Sequence, residues 1–184
     1  MKLTGLFVVL LAAVFANAQE PKFFPVQLRS DGLVPAAIHF YCSQGYDPEE
    51  CSRDTSALRT ALTLYPVNEL GSWSYYLVLP FQWKPVAVSH GGDGVSPAFS
   101  MLLGRATVLD RSLFSGTADR VRELEVWSGI PYGPQLVAIA LSHELGHALC
   151  QEKNERLANE HARELRDGKI PNCRKSVVGK NVNR

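Results

Sequence analysis

From Pro134 to Cys150 the chain reads PQLVAIALSHELGHALC, a run whose only helix breaker beyond the opening proline is Gly146. Proline is tolerated in a first helical turn, where its missing N–H would have no partner. Gly133-Pro134 is therefore predicted to start one apolar helix that continues through Leu136 to Cys150. His143, Glu144 and His147 sit inside it. Residues four apart lie one turn apart on the same helix face, so the two imidazoles point to a common spot. Glu144 is rotated about 100° from His143 and stands beside that spot. Any fold open to this chain has to bury the helix while giving three titratable groups partners.

Two histidines in the pattern H-E-x-x-H can grip a single Zn2+ at about 2.0–2.1 Å, with the glutamate left free. Such an ion lowers the pKa of water to roughly 7, and Glu144 can then take a proton and pass it to a leaving amine. A catalytic zinc needs a third protein ligand and one open position. Four downstream residues are candidates: Glu152, Glu155, Glu160 and His161. By the 100° step His161 falls between Leu157 and Leu165, near the middle of an apolar stripe, whereas Glu155 lies at its edge. An acidic edge residue facing a metal leaves no charge buried elsewhere, which favours Glu155. The motif fixes metal binding better than turnover. A non-catalytic secreted protein, stabilised by zinc and disulfides and used for binding, is therefore the alternative reading.

The segment resembles the glutamate-ligand branch of the zincin metallopeptidases, the gluzincins, in which H-E-x-x-H precedes a helix bearing E-x-x-A-D or E-x-x-A-N. The matching residues are His143-Glu144-Leu145-Gly146-His147 and Glu155-Arg156-Leu157-Ala158-Asn159. The resemblance implies that Glu155 is the third zinc ligand and that Asn159 orients the site. It also implies an α+β, zincin-like fold, with a small mixed or antiparallel sheet packed on the site helix and on the following ligand helix. The implied activity is hydrolysis of peptide bonds in a peptide or protein substrate, with one Zn2+ as cofactor. An edge strand holding extended substrate above the metal is implied as well, and Met101 to Leu109 is the candidate for it.

Composition bounds the rest. Apolar residues make up 46% of the 184 residues and charged residues 20%, a globular mixture too hydrophobic for disorder. The net charge of +1 supplies no long-range field for phosphate backbones, so nucleic acid is not an expected partner. At the N-terminus Lys2, the apolar run Leu6 to Phe15 and Ala16-Asn17-Ala18 follow the order of a secretory signal peptide, with cleavage expected after Ala18. That run is shorter than the roughly 20 residues needed to span a bilayer, so the mature chain is expected outside the membrane, either secreted or periplasmic. Residues 19–173 are expected to form one domain, and the basic tail 174–184 to be mobile. Export places Cys42, Cys51, Cys150 and Cys173 where thiols oxidise. The pairs Cys42 with Cys51 and Cys150 with Cys173 are preferred, because each closes a loop within one local unit.

Along the remaining chain, 19–32 reads as an extended lead-in, Ala36 to Tyr41 as a strand, and Asp47-Pro48 as the start of a helix running to Leu64. Trp73 to Pro80, rich in aromatic and branched residues, is the firmest strand. Pro85 to Ser89 and Met101 to Leu109 read as weaker strands around the loop His90-Gly91-Gly92-Asp93-Gly94. Helices are predicted from Thr117 to Ser128, with Val121, Leu124 and Val126 or Trp127 at roughly helical spacing, and from an Asn154 cap to Gly168. His39 reads as a packed strand histidine. His90 and Tyr132 are candidates to stabilise an oxyanion.

Overall fold

The computed structural model describes residues 21–27, 32 and 34–173. The expected signal segment 1–18 and tail 174–184 lie outside the described residues. Among the described residues the fold is α+β, a five-stranded mixed sheet with five α-helices. In chain order the elements are β1 (Phe23–Pro25), β2 (Ile38–Ser43), α1 (Pro48–Leu62), β3 (Trp73–Val78), α2 (Pro80–Ser89), β4 (Ala98–Met101), β5 (Ala106–Asp110), α3 (Ala118–Ser128), α4 (Pro134–Cys150) and α5 (Glu155–Arg166). Across the sheet the strands lie β1-β2-β3-β5-β4. The central β2–β3 and β3–β5 pairs are parallel, and the flanking β1–β2 and β4–β5 pairs are antiparallel.

Local chemistry accounts for the boundaries. Asp47 caps α1 by accepting from the Glu49 and Glu50 amides at 3.0 Å, with Pro48 in the first turn. Thr117 caps α3, and Gly129 ends it in the left-handed region. β3 turns Trp73, Tyr75 and Leu77 into a core shared with Leu58 and Leu62 of α1 and with Leu136, Leu141 and Leu145 of α4. The opposite face packs Val78 and Val108 against Trp83, Val86 and Ala87 of α2. Helices cover both faces, so β5 is buried at every position.

Three expectations need correction. Pro85 to Ser89 is not a strand but the last part of α2. Trp83, Val86 and Ala87 recur at helical spacing and bury against the sheet, which offsets the roughly 3 kcal/mol that an internal proline costs a helix. Met101 to Leu109 is not one strand: Met101 ends β4, the chain turns through Leu102 to Arg105, and β5 begins at Ala106. His39 is not packed, because its position on β2 faces solvent. The extended lead-in contributes one short strand, β1.

Both preferred disulfides are present, Cys42 with Cys51 and Cys150 with Cys173, and they fit an oxidising, extracellular environment. No helix among the described residues is long and apolar enough to cross a membrane.

Candidate metal centre

The helices α4 and α5 meet through a turn of only Gln151 to Asn154. Gln151 adopts the left-handed conformation at φ 49°, and the amides of Gln151 and Glu152 both close on the His147 carbonyl. Asn154 then caps α5 by accepting from the amides of Arg156 at 3.0 Å and Leu157 at 3.2 Å. The turn carries Glu155 back over the two histidines. Close packing of the helices depends on Gly146, whose missing Cβ would stand 2.5 Å from the Ala158 carbonyl oxygen.

Three donor atoms converge here. His143 Nε2 and His147 Nε2 are 3.1 Å apart, and Glu155 Oε2 lies 3.1 Å from the first and 3.4 Å from the second. Corners of a tetrahedron around an ion at about 2.0–2.1 Å are separated by about 3.3–3.4 Å, so the triangle already has about the size of one face of such a site, three of its four corners. His147 Nδ1 donates to the Glu152 carbonyl at 2.7 Å. A carbonyl can only accept, so Nδ1 carries a proton, and in the neutral ring Nε2 presents a lone pair. His143 Nδ1 donates to Asn159 Oδ1 at 3.1 Å, with the same result. Two lone pairs and a carboxylate face one point, an arrangement that repels itself unless a cation sits among them. His143, His147 and Glu155 could therefore hold a metal ion. Their donor set, two imidazoles and one carboxylate, fits zinc.

Glu144 is buried beside this group, and its Oε2 has no hydrogen-bond partner among the described residues. Burial pushes its carboxyl above the ordinary value. The neighbouring imidazoles and the Ser100 hydroxyl oppose that rise, and the Glu155 charge adds to it. Behind Ser100 runs a buried chain of donors. Trp73 Nε1 donates to Thr107 Oγ1 at 3.0 Å, and Thr107 Oγ1 lies 3.1 Å from Ser100 Oγ, which in turn donates at Glu144, 3.4 Å from its carbonyl. The indole can only donate, and Ser100 has one proton, so the chain points toward Glu144 throughout. The buried Tyr75 hydroxyl is kept neutral by desolvation and by the Glu144 charge.

A comparison of the chain with protein families, curated proteins and solved structures finds no match. The geometry of the centre has to carry the assignment.

The other candidates fall away from the centre. His161 is fully buried on α5 with Nδ1 3.4 Å from Glu164 Oε2, outside the converging group. Glu160 pairs with Arg156. The Glu152 side chain accepts from the Asn154 amide at 2.8 Å, and its backbone rather than its carboxylate serves the site. Tyr132 donates its hydroxyl to the Ser112 carbonyl at 2.7 Å, and its ring lines a different, apolar recess. His90 closes α2, bonded to the Val86 carbonyl at 3.0 Å and stacked on Phe99. Neither of these two lines the cleft at the converging group. That cleft, about 670 Å³, runs from His143, Glu144, His147 and Glu155 along β4 to Leu103 and Gly104. Sequence reading missed Ser100, Thr107 and Trp73, because their spacing in sequence carries no signal and only the sheet brings them together.

Proposed function

We propose that this chain is an exported zinc peptidase of zincin-like fold, hydrolysing peptide bonds in peptide or protein substrates. The observation that carries the reading is the triangle of His143 Nε2, His147 Nε2 and Glu155 Oε2, with both imidazoles pinned through Nδ1 and a buried carboxylate beside them. These three atoms would hold one Zn2+. When bound, the ion supplies Lewis acidity, drawing electron density from a carbonyl oxygen and making water acidic near neutral pH.

Glu144 supplies the proton traffic. Burial makes its carboxylate a better base than an exposed one, so it accepts a proton from the attacking water and delivers it to the leaving amine nitrogen. The Ser100 hydroxyl, bonded to the Glu144 main-chain carbonyl, stands on the strand side of that carboxyl and opposes the rise in its pKa. β4 ends the sheet beside α4, and its outer edge carries no strand among the described residues. An extended substrate can add there through main-chain hydrogen bonds that do not depend on its sequence. Two disulfides support export, as does the order of charged, apolar and small residues from Lys2 to Ala18.

The test is metal content together with turnover. Purified protein is expected to hold about one zinc per chain. It should cleave a generic peptide library in a chelator-sensitive way, and lose cleavage in Glu144→Gln with zinc retained. Zinc binding without any cleavage by the wild type would instead support the non-catalytic binding protein. Failure to take up zinc would remove both readings.

A further inference from the structure

A second recess, of about 370 Å³, meets the large cleft at Ser96, Ala98, His143, Glu144 and Glu155. Its far wall carries Trp127, half exposed, and Arg166. Glu155, Asn159 and Arg166 stand at positions i, i+4 and i+11 of α5, within about 40° of one another around the axis, so they share one face. Arg166 is held from below, its Nη1 donating at 2.6 Å to the Oγ of Ser142, a buried residue on α4. No carboxylate pairs with its guanidinium among the described residues. A guanidinium fork anchored through Nη1, with no carboxylate partner among the described residues and one recess away from the metal centre, matches the planar geometry of a carboxylate.

Strand direction says which carboxylate arrives there. Ala98 borders both recesses, whereas Met101 to Gly104 border the large cleft alone. β4 therefore runs from the Arg166 side toward the large cleft. A peptide added to it in the more stable antiparallel sense would have its C-terminal end at Arg166. We propose that Arg166 receives the free α-carboxylate of the substrate, with Trp127 against its last side chain, so that the site removes a short segment from peptide C-termini. The proposal rests on the peptidase reading. The overall step is hydrolysis: water oxygen bonds to the scissile carbonyl carbon, the C–N bond breaks, and the proton taken by Glu144 goes to the amine of the released C-terminal segment.

The experiment compares matched peptides ending in a free acid or in an amide. Binding is measured in zinc-loaded Glu144→Gln, where nothing turns over, by calorimetry and by Trp fluorescence. The free acid is expected to bind at least about tenfold more tightly than the amide in the Glu144→Gln background, and kcat/KM of the wild type is expected to show the same ratio. Arg166→Ala should collapse the ratio to near one, chiefly through KM, with zinc content and Tm retained. Arg166→Lys should restore part of it, because the charge returns without the fork. Equal treatment of acid and amide by the wild type, or an equal loss of both in Arg166→Ala, would overturn the assignment while leaving the peptidase reading intact. No cleavage of any peptide by the zinc-loaded wild type would overturn the peptidase reading itself.

Discussion

A Cβ on Gly146 would stand 2.5 Å from the carbonyl oxygen of Ala158, so α4 and α5 approach each other at a point where only glycine fits. The obstacle is backbone, which cannot rotate aside. Alanine would gain about 1 kcal/mol in helix propensity, but overpacking of this kind costs typically about 1–3 kcal/mol. Gly146→Ala is therefore expected to lower stability and, by pushing α5 outward, to weaken zinc binding through a misplaced Glu155. Thermal unfolding with and without zinc checks both effects. A variant with unchanged zinc affinity would mean that the helix approach does not set the ligand geometry.

Asn159 orients His143 without standing among the converging donors. Asn159→Ala is expected to reduce zinc affinity by about 10–100-fold, as loss of such orienting partners does. Glu155→Ala should cost more, and His161→Ala should leave the affinity within a small factor of wild type. Competition against a chromophoric chelator measures all three on one scale.

Ser100→Ala removes the hydroxyl that bonds the Glu144 main chain and favours the charged form of its buried carboxyl. A hydrogen bond to a charged group is worth about 1.5–3 kcal/mol, so kcat is expected to fall by at least about tenfold with zinc content unchanged. Thr107→Val should move kcat in the same direction, because it cuts the donor chain one step earlier. Unaltered kcat in both variants would show that the chain of donors serves packing alone.

Asp93 accepts from the Val95 amide at 2.8 Å and the Ser96 amide at 2.9 Å, and these bonds hold its carboxyl below the ordinary value. A depressed folded-state pKa contributes stability that is present above the unfolded value and lost as pH falls through the folded one. The turn leading into β4 should therefore loosen below the ordinary carboxylate range, seen as reduced amide protection at Val95 and Ser96. Asp93→Asn should make that protection independent of pH. Persistent acid lability in the variant would place the titrating group elsewhere.

The sequence disclosed elements whose signals are local. Asp47, Thr117, Asn154 and the prolines at helix starts each act within one turn, and all cap or open the helices assigned to them. The i, i+4 histidines work the same way, and the E-x-x-A-N helix brings Glu155 and Asn159 beside them. The short alternating run from Pro85 to Ser89 suggests a strand when taken alone, and the burial of Trp83, Val86 and Ala87 at helical spacing outweighs that signal. Likewise, His39 sits in an apolar-looking run, yet strand alternation turns it to solvent. Ser100, Thr107 and Arg166 escaped notice for a different reason. Their placements arise from register and from helix crossing, which no window of sequence contains.

His147 takes its orientation from the main chain of Glu152 rather than from any side chain. Evolution can therefore rewrite residue 152 without disturbing that imidazole, provided the tight reversal after α4 keeps its shape. Distant kin of this protein should betray themselves by the eight-residue interval from His147 to Glu155 more faithfully than by the letters that fill it.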